Sequence, residues 1–256
     1  MYQKEFIISN NDVDYRFTLK PANLYRLFQD VALKATEEVG SDSISLSKRG
    51  IDWVITRMDV EITRLPNCNE KITVCTYPGK DMAMLYPRFF FIKDENNNVI
   101  VKASSIWALI DAKTRKVIVD KDTINKLPPE TSDYELPLPS KIVAAQDMIQ
   151  IETRKIHYSD LDFNSHMNNV RYVELLMDAH DSEFYDSHRL SFLTLNYMKE
   201  IKEKETVDIY TDASSPETII VKTNGNIAFL GKVSFTSSAP WSRDPCLPRK
   251  PGIPQC

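Results

Sequence analysis

A long amphipathic helix accompanied by a run of strands is predicted twice in this chain, and this repetition constrains the fold more than any other feature. The first helix is predicted to begin at Pro21, which suits a first helical turn, and to end at Gly40. Its apolar face comprises Leu24, Leu27, Phe28, Val31, Ala32, Ala35 and Val39. The second helix is predicted over residues 168–179 from Val170, Val173, Leu176 and Met177. Two such units indicate an α+β fold in which an antiparallel sheet wraps around each helix.

Strands are predicted before and after both helices. In the first half they cover residues 4–8, 15–19, 53–56, 58–62, 71–77, 86–92 and 99–110. In the second half they cover residues 149–157, 191–197, 206–210, 217–222 and 226–236. The run Asp94–Asn98 has the composition of a tight turn and is predicted to join two antiparallel strands.

This order of elements divides the chain into four segments. An N-terminal domain is predicted over residues 1–120 and a C-terminal domain over residues 149–238. Residues 121–148 are rich in proline and polar side chains, which indicates an exposed linker. Residues 239–256 are also rich in proline, resemble no packed element, and are assigned no function.

The two domains align as an internal duplication. The sequence Glu70-Lys-Ile-Thr-Val74 matches Glu205-Thr-Val-Asp-Ile209, and carrying that register back places Leu65 opposite Glu200. The first domain is therefore predicted to keep the scaffold of the second without its polar cluster.

Composition excludes several functional classes. The chain has 256 residues, a formal net charge of −4 and only six glycines, so it has neither a general basic footprint for nucleic acid nor a glycine-rich nucleotide loop. No apolar run is long enough for a membrane-spanning helix, and the N-terminus lacks a signal-peptide pattern, which favours a cytoplasmic location. The four cysteines show no CxxC spacing, so zinc and redox functions are disfavoured.

A polar loop precedes the second helix. Asp162, Asn164 and His166 occupy alternate positions, so their side chains can converge on one pocket. Asn168 and Asn169 follow, and asparagine is a favoured helix N-cap. The simpler interpretation is an Asp- and Asn-rich turn that caps a core helix. The number of acid, amide and imidazole groups exceeds what one cap requires, so we interpret the loop as a candidate active site.

The segment Tyr158-Ser-Asp-Leu-Asp-Phe-Asn-Ser-His-Met-Asn-Asn-Val-Arg-Tyr172 resembles the hotdog thioesterase signature, and its pattern D-x-N-x-H-x-N-N is similar to that of the acyl-ACP thioesterase family. Further family-like features are Trp53-Val54, Arg64-Leu-Pro66, Ala103-Ser-Ser-Ile-Trp107 and Thr114-Arg-Lys116. The resemblance covers residues 3–237 and implies a double hotdog fold, each half an antiparallel sheet around a long central helix. The lack of a plastid targeting peptide fits a bacterial, cytoplasmic member.

The resemblance also implies an activity and its residues. It implies hydrolysis of fatty acyl-acyl carrier protein at Asp162, Asn164, His166 and Glu200, the last within Tyr197-Met-Lys-Glu200. The hypothesis gives Glu200 and His166 the activation of water, with Asp162 orienting them or sharing the role of base. Asn164 and the backbone N–H groups at Asn168 and Asn169 would hold the carbonyl oxygen. No metal or cofactor is implied. The position after Glu200, a cysteine in some members, is Ile201, which excludes a thiol mechanism there.

The expected partner is acyl carrier protein, whose acidic surface would require a locally basic docking site. Candidate docking residues are Lys113, Arg115, Lys116, Arg171, Lys199, Lys202 and Lys204. Two alternatives stay open from the sequence: an acyl-CoA thioesterase, and a hotdog protein that binds acyl chains without catalysis. A tandem chain supplies both halves of a hotdog pair, so either a monomer or a homodimer is compatible with it.

Overall fold

The computed structural model describes residues 1–144, 147–213 and 215–238, so the proline-rich segment 239–256 lies outside the described residues. The N-terminal half contains β1 (Tyr2–Ile7), α1 (Pro21–Glu37), α2 (Ser43–Ser47), β2 (Ile51–Ile62), β3 (Lys71–Pro78), β4 (Tyr86–Lys93), β5 (Val99–Asp111), β6 (Val117–Ile118) and α3 (Lys121–Ile124). The C-terminal half contains β7 (Met148–Lys155), α4 (Asn169–Met177), α5 (Ser182–Ser187), β8 (His188–Tyr197), β9 (Thr206–Asp212), β10 (Ser215–Thr223) and β11 (Asn226–Ser237). The predicted α+β class is confirmed.

The strands form one antiparallel sheet with the order β1-β3-β4-β5-β2-β8-β11-β10-β9-β7, and β6 pairs with β5. The order of the second five strands mirrors that of the first five. The halves meet where Arg57–Glu61 of β2 pairs with Phe192–Asn196 of β8. Asp59 opposes Thr194 at the middle of this pairing, which places the pseudo-two-fold axis of the duplication there.

Helices α1 and α4 contact each other and pack against this sheet. Phe28 and Val31 of α1 and Val173 and Leu176 of α4 belong to one hydrophobic cluster, and each is at most 2% exposed. Full burial of a side chain of this size contributes about 1.5–3 kcal/mol, so the apolar faces read from the sequence fix both helices on the sheet. The observed bounds are slightly shorter than predicted, because the last turns end at Glu37 and Met177.

Equivalent backbone hydrogen bonds confirm the register of the duplication. The N–H of Leu19 donates to the carbonyl of Pro66 at 2.8 Å, and the N–H of Met167 donates to the carbonyl of Ile201 at 2.7 Å. Leu65 therefore occupies the position of Glu200.

One expectation about the first half is corrected. Asp14 stands at the position of Asp162, and its Oδ1 accepts the N–H groups of Arg16 at 2.9 Å and Thr18 at 3.1 Å. Both halves therefore keep the carboxylate that holds the turn. Arg16 and Thr18 stand in the first half where the second half has Asn164 and His166. Arg16 also pairs with Asp14 and donates to the carbonyl of Tyr185, so it joins the two halves.

Two predicted strand boundaries are wrong. Residues 15–19 form no strand and make only the isolated bridges Val13–Leu19 and Thr18–Asn67, because the Asp14 turn interrupts the extended backbone. Residues 53–56 and 58–62 belong to one strand, β2, and the break in its alternation is a register shift between Ile55 and Arg57 in the pairing with β5.

The segment between the halves packs against the sheet and is not the simple exposed linker predicted. Leu136 is 9% exposed, and the carbonyl of Pro137 accepts a hydrogen bond from Ser104 at 2.6 Å. Ser140 donates to Asp59, and the side chain of Asn196 bonds to the backbone on both sides of Lys141. Buried polar side chains of β2, β5 and β8 thus anchor it. The division at residues 120 and 149 stays a prediction.

No helix among residues 1–144, 147–213 and 215–238 has the length and apolarity needed to cross a bilayer.

Candidate active site

The polar loop before α4 is held by its own first residue. The Asp162 N–H donates to the carbonyl of His166 at 2.8 Å, and Asp162 Oδ1 accepts the N–H groups of Asn164 at 2.8 Å and His166 at 3.3 Å. Ser165 adopts the left-handed region with φ 62°, as Phe17 does with φ 61° in the first half. The carboxylate of Asp162 therefore orients the backbone that carries the other two side chains.

The connection from β8 to β9 lies beside this loop. His166 forms an antiparallel bridge with Lys202, and the adjacent Met167–Ile201 hydrogen bond fixes the register. As a result, His166 Nε2 lies 3.4 Å from Glu200 Oε2. The structure thus brings together two of the side chains to which the sequence assigned the activation of water.

A residue of the N-terminal half also contacts the His166–Glu200 pair. The guanidinium of Arg115 contacts Glu200 Oε1, and its Nη1 lies 2.9 Å from Asp52 Oδ2. Arg115 has φ 56° in the turn after β5, and the side chain of Asp111 holds that turn by accepting from Lys113 and Thr114. The candidate site is therefore built from both halves of the chain.

The electrostatics of the site favour a neutral imidazole. Burial lowers the pKa of His166, and the positive charge of Arg115 lowers it further. Asp162 opposes this shift, but the net direction is downward, so His166 can accept a proton near neutral pH. A carboxylate only accepts hydrogen bonds, so a hydrogen bond from His166 to Glu200 would require the ring proton on Nε2 and would leave Nδ1 as the acceptor.

The structure distinguishes the two asparagines at the start of α4. The Asn168 side chain accepts the N–H of Val170 at 3.0 Å, and the Asn168 N–H donates to the carbonyl of Asp160 at 2.8 Å. Asn168 is thus the N-cap, with both groups occupied. The N–H of Asn169 forms no such bond within the described part of the chain, so of the two it is the group available to an oxyanion. Asn164 is exposed and faces the cavity.

A cavity of about 1220 Å³ opens at this site and runs between α1 and the sheet. Asp162, Asn164, His166 and Glu200 line one end. Beyond them the walls include the aromatic side chains of Trp53, Tyr86, Trp107, Tyr172 and Tyr197. Such a space admits a long apolar group with its polar end at the His166–Glu200 pair.

Sequence reasoning missed the contribution of Arg115 and Asp52 to the site. Arg115 was predicted as a docking residue, yet its side chain contacts Glu200, which lies 85 positions later in the sequence. Arg171 was another docking candidate, but it pairs with Glu174 at 2.7 Å and donates to the carbonyl of Ser159. The family-like sequence Thr114-Arg-Lys116 drew attention to this segment. No local pattern in the sequence indicated that Arg115 would contact Glu200.

Known proteins show the same architecture. The structure resembles the crystal structure of an acyl-ACP thioesterase from Bacteroides thetaiotaomicron, with a TM-score of 0.80 and 25% identity over 91% of this chain and 97% of that one. It also resembles a 12:0-ACP thioesterase from Umbellularia californica, with a TM-score of 0.78 and 20% identity over 93% of this chain and 97% of that one. These likenesses confirm the double hotdog fold.

The sequence is similar to plant proteins as well. It is 25% identical over 245 residues to oleoyl-acyl carrier protein thioesterase 2, chloroplastic, of Arabidopsis thaliana, covering 88% of this chain and 66% of that protein. It is 27% identical over 252 residues to oleoyl-acyl carrier protein thioesterase, chloroplastic, of Coriandrum sativum, covering 89% of this chain and 68% of that protein. The chain thus spans about two thirds of the length of these relatives.

The fold and the two-sided polar site define a tandem hotdog protein with its candidate site between the halves. The models of the acyl-ACP thioesterase N-terminal and C-terminal domains match residues 1–127 and 143–242. The chain belongs to the acyl-ACP thioesterase family.

Proposed function

We propose that this protein hydrolyses the thioester of fatty acyl-acyl carrier protein in the cytoplasm and releases a free fatty acid. The observation that carries the proposal is the His166–Glu200 pair at the mouth of a large cavity whose walls include five aromatic side chains. The family and the names of the relatives support the substrate class. The cavity would hold the acyl chain, with its thioester carbonyl at the pair.

In the proposed reaction, water attacks the thioester carbonyl and gives up a proton to the His166–Glu200 pair. The carbonyl becomes an oxyanion, which Asn164 and the N–H of Asn169 would stabilise by hydrogen bonds. The oxyanion then collapses, the carbon–sulfur bond breaks, and the thiolate takes the proton back from the pair. The products are a carboxylic acid and the free thiol of the carrier. Asp162 acts on this reaction by orienting the loop.

The candidate docking surface consists of the remaining lysines at the mouth. Lys199 and Lys202 are exposed and line the cavity, and Lys204 is exposed in the same connection. The Arg115–Glu200 contact brings the exposed Lys113 and Lys116 close to them. An acidic carrier protein would match this basic rim, and its salt-dependent association would follow from the exposure of the lysines.

Hydrolysis of palmitoyl-ACP and palmitoyl-CoA by wild type and His166→Ala tests the proposal. We expect faster turnover of the ACP thioester and a loss of about 10²–10⁴-fold in the variant, as for removal of a general base. Equal or greater turnover of the CoA thioester would move the protein to acyl-CoA hydrolysis. If neither thioester is turned over while acyl chains still bind, the protein is an acyl-binding module.

Glu200→Gln separates the roles within the pair. If His166 accepts the proton, the variant keeps residual activity that still declines on the acidic side, as the imidazole becomes protonated. If Glu200 accepts it, activity falls by about 10²–10⁴-fold at every pH.

A further inference from the structure

The cavity contains a second polar group that the proposed reaction does not use. Arg88 of β4 lines the cavity away from the His166–Glu200 pair, and the residue is 7% exposed. Its neighbours along the wall include Pro78 and Gly79 at the end of β3, with Pro128 and Pro129 nearby.

The guanidinium of Arg88 is poorly satisfied. Its Nη1 donates to Thr76 Oγ1 at 3.2 Å, and among the described residues it forms no ion pair and no other side-chain hydrogen bond. The carboxylate of Glu130 acts on it electrostatically, but Glu130 has its own ion pair with the amino group of Met1. A guanidinium has five N–H donors, so most of its hydrogen-bonding capacity is directed at the cavity.

Arg88 keeps its charge in this position. Burial lowers its pKa to about 10, so the side chain is protonated at neutral pH. A buried charge without a partner is costly unless another group supplies hydrogen bonds and opposite charge. Apolar contact with an ordinary hydrocarbon chain would supply neither.

The strand register gives the distance between Arg88 and the pair. Asp52, which binds Arg115 at the site, lies six residues before Met58 on β2, and Met58, Ser105 and Arg88 occupy one row across β2, β5 and β4. The register shift in β2 adds one of these residues, and the opposing residues Ile110 and Ser105 lie only five apart on β5, a span of roughly 17 Å. Two strand spacings sideways bring the separation to about 20 Å. A fully extended chain gains roughly 1.2 Å per bond, so a 16-carbon acyl chain of about 15 bonds spans roughly 18 Å, and Arg88 lies at about the reach of such a chain when its thioester is at His166.

We propose that Arg88 forms a binding subsite for an oxygen function, a hydroxyl or a carboxylate, carried at the far end of the acyl chain. The inference rests on the proposed function, because it assumes that the thioester end lies at the His166–Glu200 pair. The substrate class is then a fatty acyl group oxygenated near its methyl end. The guanidinium of Arg88 can donate hydrogen bonds to either oxygen group. A carboxylate would be the stronger ligand because it can accept two parallel hydrogen bonds.

Binding of three free acids to the wild-type protein tests the subsite directly: hexadecanoic acid, ω-hydroxyhexadecanoic acid and hexadecanedioic acid, measured by calorimetry. The same titrations with Arg88→Met, which keeps the length and apolar volume of the side chain, give the matched comparison. We expect the affinity ratio of each oxygenated acid to the plain acid to fall at least about 10-fold in the variant, as for loss of a charge-assisted hydrogen bond. Arg88→Lys should keep part of the preference.

Several results would overturn the inference. One is an affinity ratio of oxygenated to plain acid that is the same in wild type and Arg88→Met. Another is tighter binding of the plain acid than of both oxygenated acids by the wild-type protein. If the variant fails to fold, the affinity ratio of oxygenated to plain acid in the wild-type protein tests the subsite without it. Hydrolysis of plain palmitoyl-ACP by the wild type is measured in parallel. Its absence would refute the proposed reaction, whereas its presence with no oxygen preference would refute only the subsite.

Discussion

Replacing Arg115 by methionine should reduce catalysis far more than stability. Among the described residues, Arg115 makes the one ion pair between Glu200 and the N-terminal half, and it also binds Asp52. The Arg115 and Glu200 side chains are 34% and 36% exposed, so each of the two ion pairs is partly screened and contributes about 0.2–1 kcal/mol. The loss of both should lower the free energy of unfolding by no more than about 2 kcal/mol, or roughly 4–8 °C in Tm for a chain of this size.

The catalytic effect has a different origin. Without Arg115, the Glu200 carboxylate loses the group that fixes its position 3.4 Å from His166 Nε2. A misplacement of about 1 Å in a catalytic group costs on the order of 10²-fold, so kcat should fall by about 10–100-fold.

The pH profile should change in a defined direction. Burial and the Arg115 charge lower the pKa of His166, and removal of that charge leaves burial as the main cause. The pKa of His166 therefore rises in the variant. Since His166 must be neutral to accept a proton, activity at the acidic side should be lost at a higher pH than in wild type.

Arg64→Met is the matched control. Arg64 also bridges two carboxylates, Glu70 at 2.7 Å and Asp94 at 3.0 Å, and its side chain is 39% exposed, but it does not line the cavity. Thermal unfolding and the pH dependence of kcat/KM are measured for both variants with the same acyl-ACP. Equal activity and equal pH profiles in the two variants would refute a role for Arg115 in the site.

Four further substitutions have expected outcomes. Asn168→Ala removes the N-cap bond of α4 and should lower the free energy of unfolding by about 1 kcal/mol in a urea titration, and an unchanged midpoint would contradict the assigned cap. Gly231→Ala places a Cβ 2.6 Å from Cδ1 of Leu176 and should cost about 1–3 kcal/mol by overpacking in the same titration, unless Leu176 adopts another rotamer at no cost. Asp14→Ala and Asp162→Ala remove equivalent turn carboxylates and should both lower Tm, but only Asp162→Ala should reduce kcat by an order of magnitude or more, and equal activities would show that the Asp162 turn has no catalytic effect.

Much of the scaffold was predictable because each element carries its own local pattern. The spacing of Leu24, Phe28 and Val31 identifies the buried face of α1, and alternation identifies most of the strands. The loop from Asp162 to His166 was also visible, since its three side chains lie within five residues and precede a helix N-cap. The errors fall where a turn or a register shift interrupts that pattern, as at residues 15–19 and between Ile55 and Arg57.

The sequence by itself determined the α+β class, the duplication and the loop before α4, because these depend on periodicity or on spacing along the chain, and the family resemblance indicated Glu200. Only the tertiary structure decided that Arg115 binds Glu200 and that Arg88 lies within the cavity without an ionic partner among the described residues. Both facts arise from strand pairing across the sheet. The pairing of β2 with β8 brings the turn after β5 to the polar loop of the candidate site, and the register of β4 with β5 points Arg88 into the space under α1. Contacts between residues so far apart in the chain leave no periodic signal in it.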